Sequence, residues 1–263
     1  MDNRSIIASC EKSYSEEWQA TSEEYDKLGV YDVSLAQIEG CSSVLEIGAG
    51  SGIPLSKMMS TGFRVTSIEE NNSNFLKICE TVQKSGLPLK AIRKLESEKP
   101  RLAEDNLVLA NFITDPRLHD LVISHVGFDS IICWFVGAQM AMHLKEEMKS
   151  IGYTERQPAT YRSLIYEKLF SETSEHLECG GLISLIERAP ETEQANLNQY
   201  ALDLATDHDF AAQGLEVQSI EQIPIGKFSE MNGIKMEAFK GDELQKMEPD
   251  SFGLVAIKII KKC

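Results

Sequence analysis

From about residue 42 onward, short apolar runs alternate with segments whose apolar residues recur at helical spacing. The runs at 44–47 and 63–68 have the length of strands, and a helical pattern follows each of them. Residues 131–136 (IICWFV) are apolar at every position, as expected for a central strand that is buried on both faces. The alternation predicts a parallel sheet covered by helices.

The third strand has two candidates. Residues 89–92 are a weak one and residues 107–112 (LVLANF) a better one, whereas the segment between them is too polar to be core. We therefore assign the third strand to 107–112. Later in the chain, 182–186 follows a glycine turn and predicts a fifth strand, and the last two runs predict an antiparallel pair at the sheet edge, at 215–223 and 254–260.

Three segments lie outside this minimal frame. Residues 1–40 have a helical pattern and predict an N-terminal cap on a core at 41–263. Residues 138–179 hold two helical patterns, and 226–250 form a second insert rich in Met, Lys and Glu. Because loops at the carboxyl ends of parallel strands surround the ligand crevice, we expect the cap and the first insert to wall a substrate site.

Composition and charge narrow the class of protein. Hydrophobic residues make up 42% and charged residues 25% of the 263 residues, which is typical of a globular domain. The formal charge is −15, so the chain has no surplus of Lys and Arg for binding a phosphate backbone. One local basic cluster stands out, at Lys84, Lys90, Arg93 and Lys94. No apolar run approaches the 18 or so residues that span a bilayer. We expect a cytoplasmic protein that binds neither nucleic acid nor membranes.

The six cysteines are widely spaced. No two of them form a C-x-x-C pair of the kind that binds metals or cycles between thiol and disulfide. We expect all six to be reduced and most of them to be buried: Cys10, Cys41, Cys79, Cys133, Cys179 and Cys263.

A glycine-rich loop, E-I-G-A-G-S-G at 46–52, stands directly after the first strand and before a helix. Glycine permits a tight turn and the close approach of a ligand to the backbone, although a plain chain reversal is the alternative. A dinucleotide fingerprint would place its third glycine at position 53, where Ile53 stands. A carboxylate at Glu46 would repel pyrophosphate and attract a cationic ligand.

A second acid, Glu69, ends the second strand. At this position a carboxylate can accept two hydrogen bonds from ribose hydroxyls, which indicates a nucleoside. The alternative is that Glu69 and Glu70 are a solvated pair at the start of a helix. The glycine loop and Glu46 favour the nucleoside.

These motifs resemble those of class I S-adenosylmethionine-dependent methyltransferases. Residues 44–52 are similar to that family's first motif, 65–69 to its second, 128–134 to its fourth strand and 179–186 to its glycine turn and fifth strand. The resemblance implies an α/β fold: a Rossmann-like, seven-stranded, mostly parallel sheet with helices on both faces, an antiparallel C-terminal edge hairpin and an N-terminal helical cap.

The resemblance also implies S-adenosylmethionine as cofactor. Its methionine portion would lie on the glycine loop, its ribose on Glu69, and its adenine beside Asn111 and Phe112, where Asn111 replaces the family's usual Asp. The implied residues of the loop are Glu46, Gly48, Ala49, Gly50 and Gly52.

The class of methyl acceptor is narrowed mainly by ruling out other classes of methyltransferase. Base and glutamine methyltransferases carry an Asn/Asp-Pro-Pro-aromatic motif after strand four, and here Cys133 to Val136 stand in its place, which disfavours that chemistry. Asp129 opens strand four instead of ending it, so the carboxylates of a metal site are missing there and we predict no metal. We expect methyl transfer to an O or N atom of a small molecule by in-line displacement. The alternatives are a peptide or protein methyltransferase and a non-catalytic, cofactor-binding regulatory protein. An NAD-linked reductase is less favoured.

His143 is the candidate general base because it follows strand four and has an ordinary pKa of roughly 6.5. A surface position beside Lys145 and Glu146 is the competing interpretation. Aromatic residues of the cap are candidates either for a lid over the cofactor or for core packing. They are Tyr14, Trp18 and Tyr25.

Overall fold

The computed structural model describes residues 2–95, 104–121, 127–137, 141–153, 158–223, 225, 237–240, 243–246 and 252–263. The helices are α1 Asn3–Lys27, α2 Val30–Ala36, α3 Ile53–Ser60, α4 Asn72–Lys84, α5 Arg117–Leu121, α6 Glu146–Ser150, α7 Pro158–Ser171, α8 Gln194–Asp207 and α9 Phe210–Gln213. The strands are β1 Ser43–Ile47, β2 Arg64–Glu69, β3 Lys90–Ile92, β4 Asn106–Leu109, β5 Phe128–Trp134, β6 Leu177–Pro190, β7 Leu215–Ile223, β8 Glu237–Lys240, β9 Glu243–Lys246 and β10 Phe252–Lys261.

One mixed sheet organises these elements, in the order β3-β4-β2-β1-β5-β6-β10-β7. The first six strands in this order are mutually parallel. β10 runs antiparallel between β6 and β7. The predicted α/β architecture and its antiparallel C-terminal pair are confirmed, with β7 as the edge strand.

The third-strand assignment was incomplete because both candidates form strands. The weak candidate is β3 and the better one is β4, and the two pair in parallel. β3 adds an eighth strand to the seven that the sequence predicts. It has three residues, of which Ala91 is exposed and Ile92 is buried, so it is too short to show a hydrophobic pattern of its own.

Alternate residues of β5 serve the two faces of the sheet. Ile131 and Cys133 pack on the face covered by α7 and α8, and Ile132 and Trp134 pack on the opposite face. The N-terminal helices belong to this second core, where Tyr25 is fully buried. The cap is therefore fixed to the sheet by apolar packing.

The first insert is less helical than its sequence pattern predicts. Its first pattern breaks into a 3-10 turn at Met142–Leu144 and the five-residue α6, because Lys145 takes an extended conformation between them. The second pattern forms α7 and a 3-10 turn at Thr173–His176. Residues 138–140 and 154–157 lie outside the described residues, as does the second insert except for the hairpin of β8 and β9.

The expectation of six reduced cysteines was wrong for one pair. Cys179, near the start of β6, forms a disulfide with Cys263, and their Cα atoms are 5.2 Å apart. Among the remaining cysteines only Cys133 is buried, and the other three are partly exposed. Of the helices in the described part of the chain, none combines the length and the apolar character needed to cross a bilayer.

Candidate functional site

The carboxyl ends of β1, β2, β4 and β5 meet at a narrow cavity of about 60 Å³. Backbone of the glycine loop and the residues that follow β2 line one side, and the cap and α7 line the other. The lining residues used below are Tyr14, Trp18, Gly48, Gly50, Glu69, Glu70, Asn71, Asn74, Phe112, Trp134, Phe135, Val136, Gly137, Tyr161 and Ile165.

The glycine loop has a backbone that other residues rarely adopt. Gly48 has φ 81° and Gly50 has φ 58°, both in the left-handed region. A Cβ on Gly48 would approach Val136 to 3.0 Å, and one on Gly50 would collide with the indole of Trp18. Both glycines line the cavity, whereas Ala49 and Gly52 do not. The loop therefore offers bare backbone to the cavity at two positions.

Glu69 ties this loop to the start of α4. The Gly50 N–H donates to Glu69 Oε2 at 2.8 Å, and the Asn71 N–H donates to Glu69 Oε1 at 2.8 Å. Burial raises the pKa of Glu69 to about 7, although these backbone N–H groups oppose the shift. The carboxyl group lines the cavity where the sequence places the ribose acceptor.

Glu46 lies beneath the glycine loop and does not line the cavity. Its side chain is 3% exposed and accepts a hydrogen bond from the Ser67 hydroxyl on the neighbouring strand β2. Burial raises the pKa of Glu46 to about 8, and the nearby Glu69 raises it further. The geometry gives Glu46 a supporting position below the loop.

The two predicted adenine residues occupy different environments. Phe112 is buried and lines the cavity. Asn111 does not line it, and its amide already has several partners. Its Oδ1 accepts the N–H groups of Ile113 and Thr114 at 3.0 Å, while its Nδ2 donates to Glu70 Oε2 at 2.5 Å. Asn111 therefore shapes the turn after β4 and holds Glu70.

His143 lies in the 3-10 turn and is not among the residues that line the cavity. The prediction that it acts as a base placed it on a helix next to the reaction centre. The extended conformation of Lys145 ends that turn and separates it from α6.

The cap supplies two aromatic side chains to the cavity. Trp18 covers Gly50, and the Tyr14 hydroxyl donates to the Gly137 carbonyl at 3.4 Å. Burial raises the pKa of Tyr14 to about 12, and the charge of Glu69 adds to the shift. Tyr25 is fully buried and packs 4.9 Å from the Phe135 ring, so it serves the core. Tyr14 and Trp18 therefore lie where a lid over the cavity would lie, and Tyr25 does not.

Phe135 is strained where it joins β5 to the cavity. Its φ of 57° is costly for a bulky residue, by about 1–3 kcal/mol. The Phe135 N–H donates to the Ile186 carbonyl at 2.6 Å, and its ring packs against Trp18 and Tyr31 of the cap. This packing holds the residue in a conformation that turns the chain across the cavity.

An ion pair fastens the cap beside the cavity. Lys145 Nζ lies 3.0 Å from Glu11 Oε1, and the two side chains are 8% and 14% exposed. Burial alone would lower the pKa of Lys145, but the carboxylates of Glu70 and Glu11 raise it. The Asn71 amide also donates to the Glu11 carbonyl at 3.0 Å. α1 is therefore held at both the 3-10 turn and the start of α4.

The expectation that the 138–179 insert walls the site agrees with the position of α7, but sequence reasoning did not single out the α7 residues that do so. Tyr161 and Ile165 stand one turn apart on α7 and both line the cavity. Burial raises the pKa of Tyr161 well above its ordinary value, and the charge of Glu70 adds to this shift. The spacing of four residues between them was the available signal, but it is equally typical of core packing. Across the described part of the chain, no three His, Cys, Asp or Glu side chains cluster as a metal site would require.

Comparison with known proteins identifies the fold. No protein-family model matches the chain, and no curated protein matches its sequence. The crystal structure of the cyclase SpnF is 11% identical, with 89% of this chain aligned to 80% of that chain at a TM-score of 0.50. The N-methyltransferase NodS from Bradyrhizobium japonicum WM9, in complex with S-adenosyl-L-homocysteine, is 11% identical over 89% of this chain and 86% of that one, at a TM-score of 0.46.

A third solved structure, TrmN from Thermus thermophilus, is 12% identical and aligns over 89% of this chain and 48% of that chain, at a TM-score of 0.49. At a sequence identity as low as 11%, structural similarity is evidence for the fold alone. The chain has a Rossmann-like α/β fold, as its sequence predicts.

Proposed function

We propose that the protein transfers a methyl group from S-adenosylmethionine to an O or N atom of a small molecule by in-line displacement. One observation carries this proposal. Two glycines with left-handed backbone and a buried carboxyl group, Glu69, line a single cavity at the carboxyl end of a parallel sheet. In open α/β sheets, ligands bind in the crevice at this end.

The residues present fit this cofactor. Glu69 Oε2 accepts the Gly50 N–H and keeps a second lone pair for a ribose hydroxyl, whereas Oε1 accepts both the Asn71 N–H and, at 3.5 Å, the Asn74 amide. Gly48 and Gly50 line the cavity without side chains, and the Trp18 indole that lies against Gly50 would move aside for the methionine portion. Phe112 offers an apolar face to the adenine. When bound, S-adenosylmethionine supplies a methyl group on a sulfonium, which an oxygen or nitrogen nucleophile can attack.

The charge of the cavity favours a cationic ligand over a dinucleotide. Glu69 and Glu70 line it, and no Lys, Arg or His side chain is among its described lining residues. A pyrophosphate would meet two acids and no cation among the described lining residues, whereas a sulfonium and an ammonium group would stabilise the ionised forms of Glu69 and Glu70. This contrast supports S-adenosylmethionine against NAD.

The surrounding aromatic side chains would serve the transfer by excluding water and fixing the acceptor. Tyr14, Trp18 and Tyr161 enclose the cavity from the cap and α7. The Tyr14 hydroxyl donates its proton to the Gly137 carbonyl, so its oxygen can accept a hydrogen bond from the methyl acceptor. Methyl transfer to an already nucleophilic atom needs positioning more than proton removal.

The enclosure supports a compact acceptor. α1 and α7 both contribute lining residues to the cavity, which is narrow in the described part of the chain. A peptide or protein acceptor remains the alternative within the same chemistry. The cyclase SpnF has the same fold, so the fold alone does not fix the reaction. A protein that binds the cofactor without turnover is therefore a second alternative.

Calorimetry tests the cofactor. S-adenosylhomocysteine should bind and NAD should not. Glu69→Gln should weaken binding by roughly 1.5–3 kcal/mol because a charge-assisted hydrogen bond to the ribose is lost. Glu80→Gln, which changes an exposed acid on α4, is the matched control and should bind as the wild type does. Tight NAD binding without a response to S-adenosylhomocysteine would refute the proposal.

Turnover needs a separate measurement. The protein is incubated with methyl-labelled S-adenosylmethionine and either a small-molecule extract or a peptide library, and the label is followed by mass. Label on small molecules supports the proposal, and label on peptides alone would establish the peptide alternative. Binding of S-adenosylhomocysteine without any methyl transfer would favour the regulatory protein.

A further inference from the structure

Two histidines face each other at the opposite end of the sheet from the cavity. His119 lies on α5, and His176 ends the 3-10 turn that precedes β6. Their Nε2 atoms are 3.1 Å apart and their ring centres are 4.9 Å apart. β6 begins beside Phe128 and the cavity lies beyond Trp134, about 20 Å further along β5. The histidine pair is thus separate from the candidate site.

The ring positions can be compared with two ideal arrangements for this contact. A straight N–H···N hydrogen bond of the same length would place the ring centres about 5.4 Å apart. An ion about 2.05 Å from both nitrogens, with each lone pair directed at it, would place the centres about 4.8 Å apart. The distance of 4.9 Å between the centres of the His119 and His176 rings agrees with the second arrangement.

The angle at such an ion is also suitable. Two nitrogens 3.1 Å apart, each about 2.05 Å from the ion, subtend roughly 100°. This value lies between the right angle of octahedral or square-planar coordination and the tetrahedral angle. The two imidazoles could therefore act as neighbouring ligands without rearrangement of either helix.

The surroundings provide access and support. The side chain of His119 is 39% exposed, so water can reach the remaining coordination positions. Asp120 Oδ1 lies 3.4 Å from the other ring nitrogen of His119. A carboxylate beside the non-coordinating nitrogen orients the ring and strengthens it as a ligand in many metal sites.

We propose that His119 and His176 form a two-imidazole site for a borderline transition-metal ion such as Zn²⁺, Ni²⁺ or Cu²⁺, with water as the remaining ligands. Mg²⁺ and Ca²⁺ are excluded because they prefer oxygen ligands. The bound ion would clamp α5 to the start of β6. It would take no part in chemistry at the cavity, so the site is independent of the proposed methyl transfer.

The test uses the whole 263-residue chain after removal of metals with a chelator. With one equivalent of Cu²⁺, pulsed electron paramagnetic resonance should detect two coordinated imidazoles. In calorimetry, Zn²⁺ should bind and Mg²⁺ should not. His119→Gln and His176→Gln should each weaken Zn²⁺ binding more than about tenfold, and Asp120→Asn should weaken it less. His208→Gln, at a histidine that packs on Phe170, is the matched control.

Several results would overturn the site. One is a Cu²⁺ spectrum that shows no pair of coordinated imidazoles, and another is an unchanged Zn²⁺ affinity in His119→Gln. The third is no binding of either ion at millimolar concentration, in which case the contact between the two rings is a plain hydrogen bond. Circular dichroism checks that each variant is folded. Because His119 is partly exposed, its substitution leaves the core intact and gives a second reading if His176→Gln fails to fold.

Discussion

At the scale of single residues, Glu46 links the glycine loop to the pH dependence of stability. Its pKa is raised to about 8 by burial, so the folded protein holds a proton there that the unfolded chain releases near pH 4.5. The folded state binds more protons between these values, and stability must fall as pH rises. Between pH 5.5 and 8, we expect Glu46 to remove about 1–3 kcal/mol from the free energy of unfolding.

Denaturant unfolding of the wild type and Glu46→Gln at both pH values measures this effect. Glutamine can still accept the hydrogen bond from Ser67 and does not ionise, so the variant should lose less stability over the same interval. Glu39→Gln, at an exposed acid, should follow the wild type. Parallel losses in the wild type and Glu46→Gln would show that the Glu46 pKa is not raised.

The acceptor side of the cavity makes a second residue-scale prediction. The Tyr14 hydroxyl lies at the cavity and His143 does not line it. Tyr14→Phe should lower the single-turnover rate of methyl transfer about tenfold, the effect of one hydrogen bond. His143→Ala should retain the rate within about twofold. A loss of about 10²–10⁴ in His143→Ala would restore its predicted role as the general base.

The candidate site was predictable where backbone chemistry dominates. Gly48, Gly50 and Glu69 line the cavity as the motifs indicate, because a glycine turn and an acid at a strand end are fixed by local geometry. The direction of a side chain depends on its neighbours instead. Asn111 turns to cap its own loop, and Tyr161 reaches the cavity from a helix more than a hundred residues away in sequence from the glycine loop.

At the scale of elements, the ion pair between Lys145 and Glu11 fixes α1 over the cavity. Lys145→Gln removes the Lys145 cation from beside the part-buried Glu11 carboxylate, which should lower the free energy of unfolding by about 1–3 kcal/mol. α1 should then leave the glycine loop more readily. S-adenosylhomocysteine should associate faster, as measured by stopped-flow fluorescence of Trp18.

Lys149→Gln is the matched control for this experiment. Lys149 pairs with Glu146 on the surface of α6, where an ion pair contributes little, so its loss should change stability by less than about 0.5 kcal/mol. Adding Glu11→Gln to Lys145→Gln should recover part of the stability. If Lys145→Gln and Lys149→Gln have equal association rates, the ion pair does not control access to the cavity.

Most elements could be predicted because their periodicity is strong. β5 ends in an unbroken apolar run, Ile131 to Trp134, and α4 has its apolar residues on one face. Prediction failed where an element is short or interrupted. β3 has three residues, and the helical pattern before Lys145 breaks at a single extended residue that no periodicity reveals.

At the scale of the whole molecule, the N-terminal cap is part of the hydrophobic core on one face of the sheet. Tyr25 and Tyr31 of the N-terminal helices belong to the same buried cluster as Ile132 and Ile186 of the sheet. The aromatic contacts from Tyr25 to the strained Phe135 connect this core to the cavity. Packing of the cap, fold stability and shape of the cavity are therefore coupled.

The charge of the whole molecule makes the last prediction. With −15 overall, the protein should show no appreciable affinity for duplex DNA or tRNA at physiological salt, because few phosphate counterions can be released. The potential basic patch is weakened by Arg93, which donates to Asn72 Oδ1 at 2.6 Å and lies over the Phe75 ring. Fluorescence anisotropy with labelled tRNA measures this. Tight binding that weakens steeply with salt, and is lost in Lys90→Gln, would instead establish a nucleic-acid surface and change the class of acceptor.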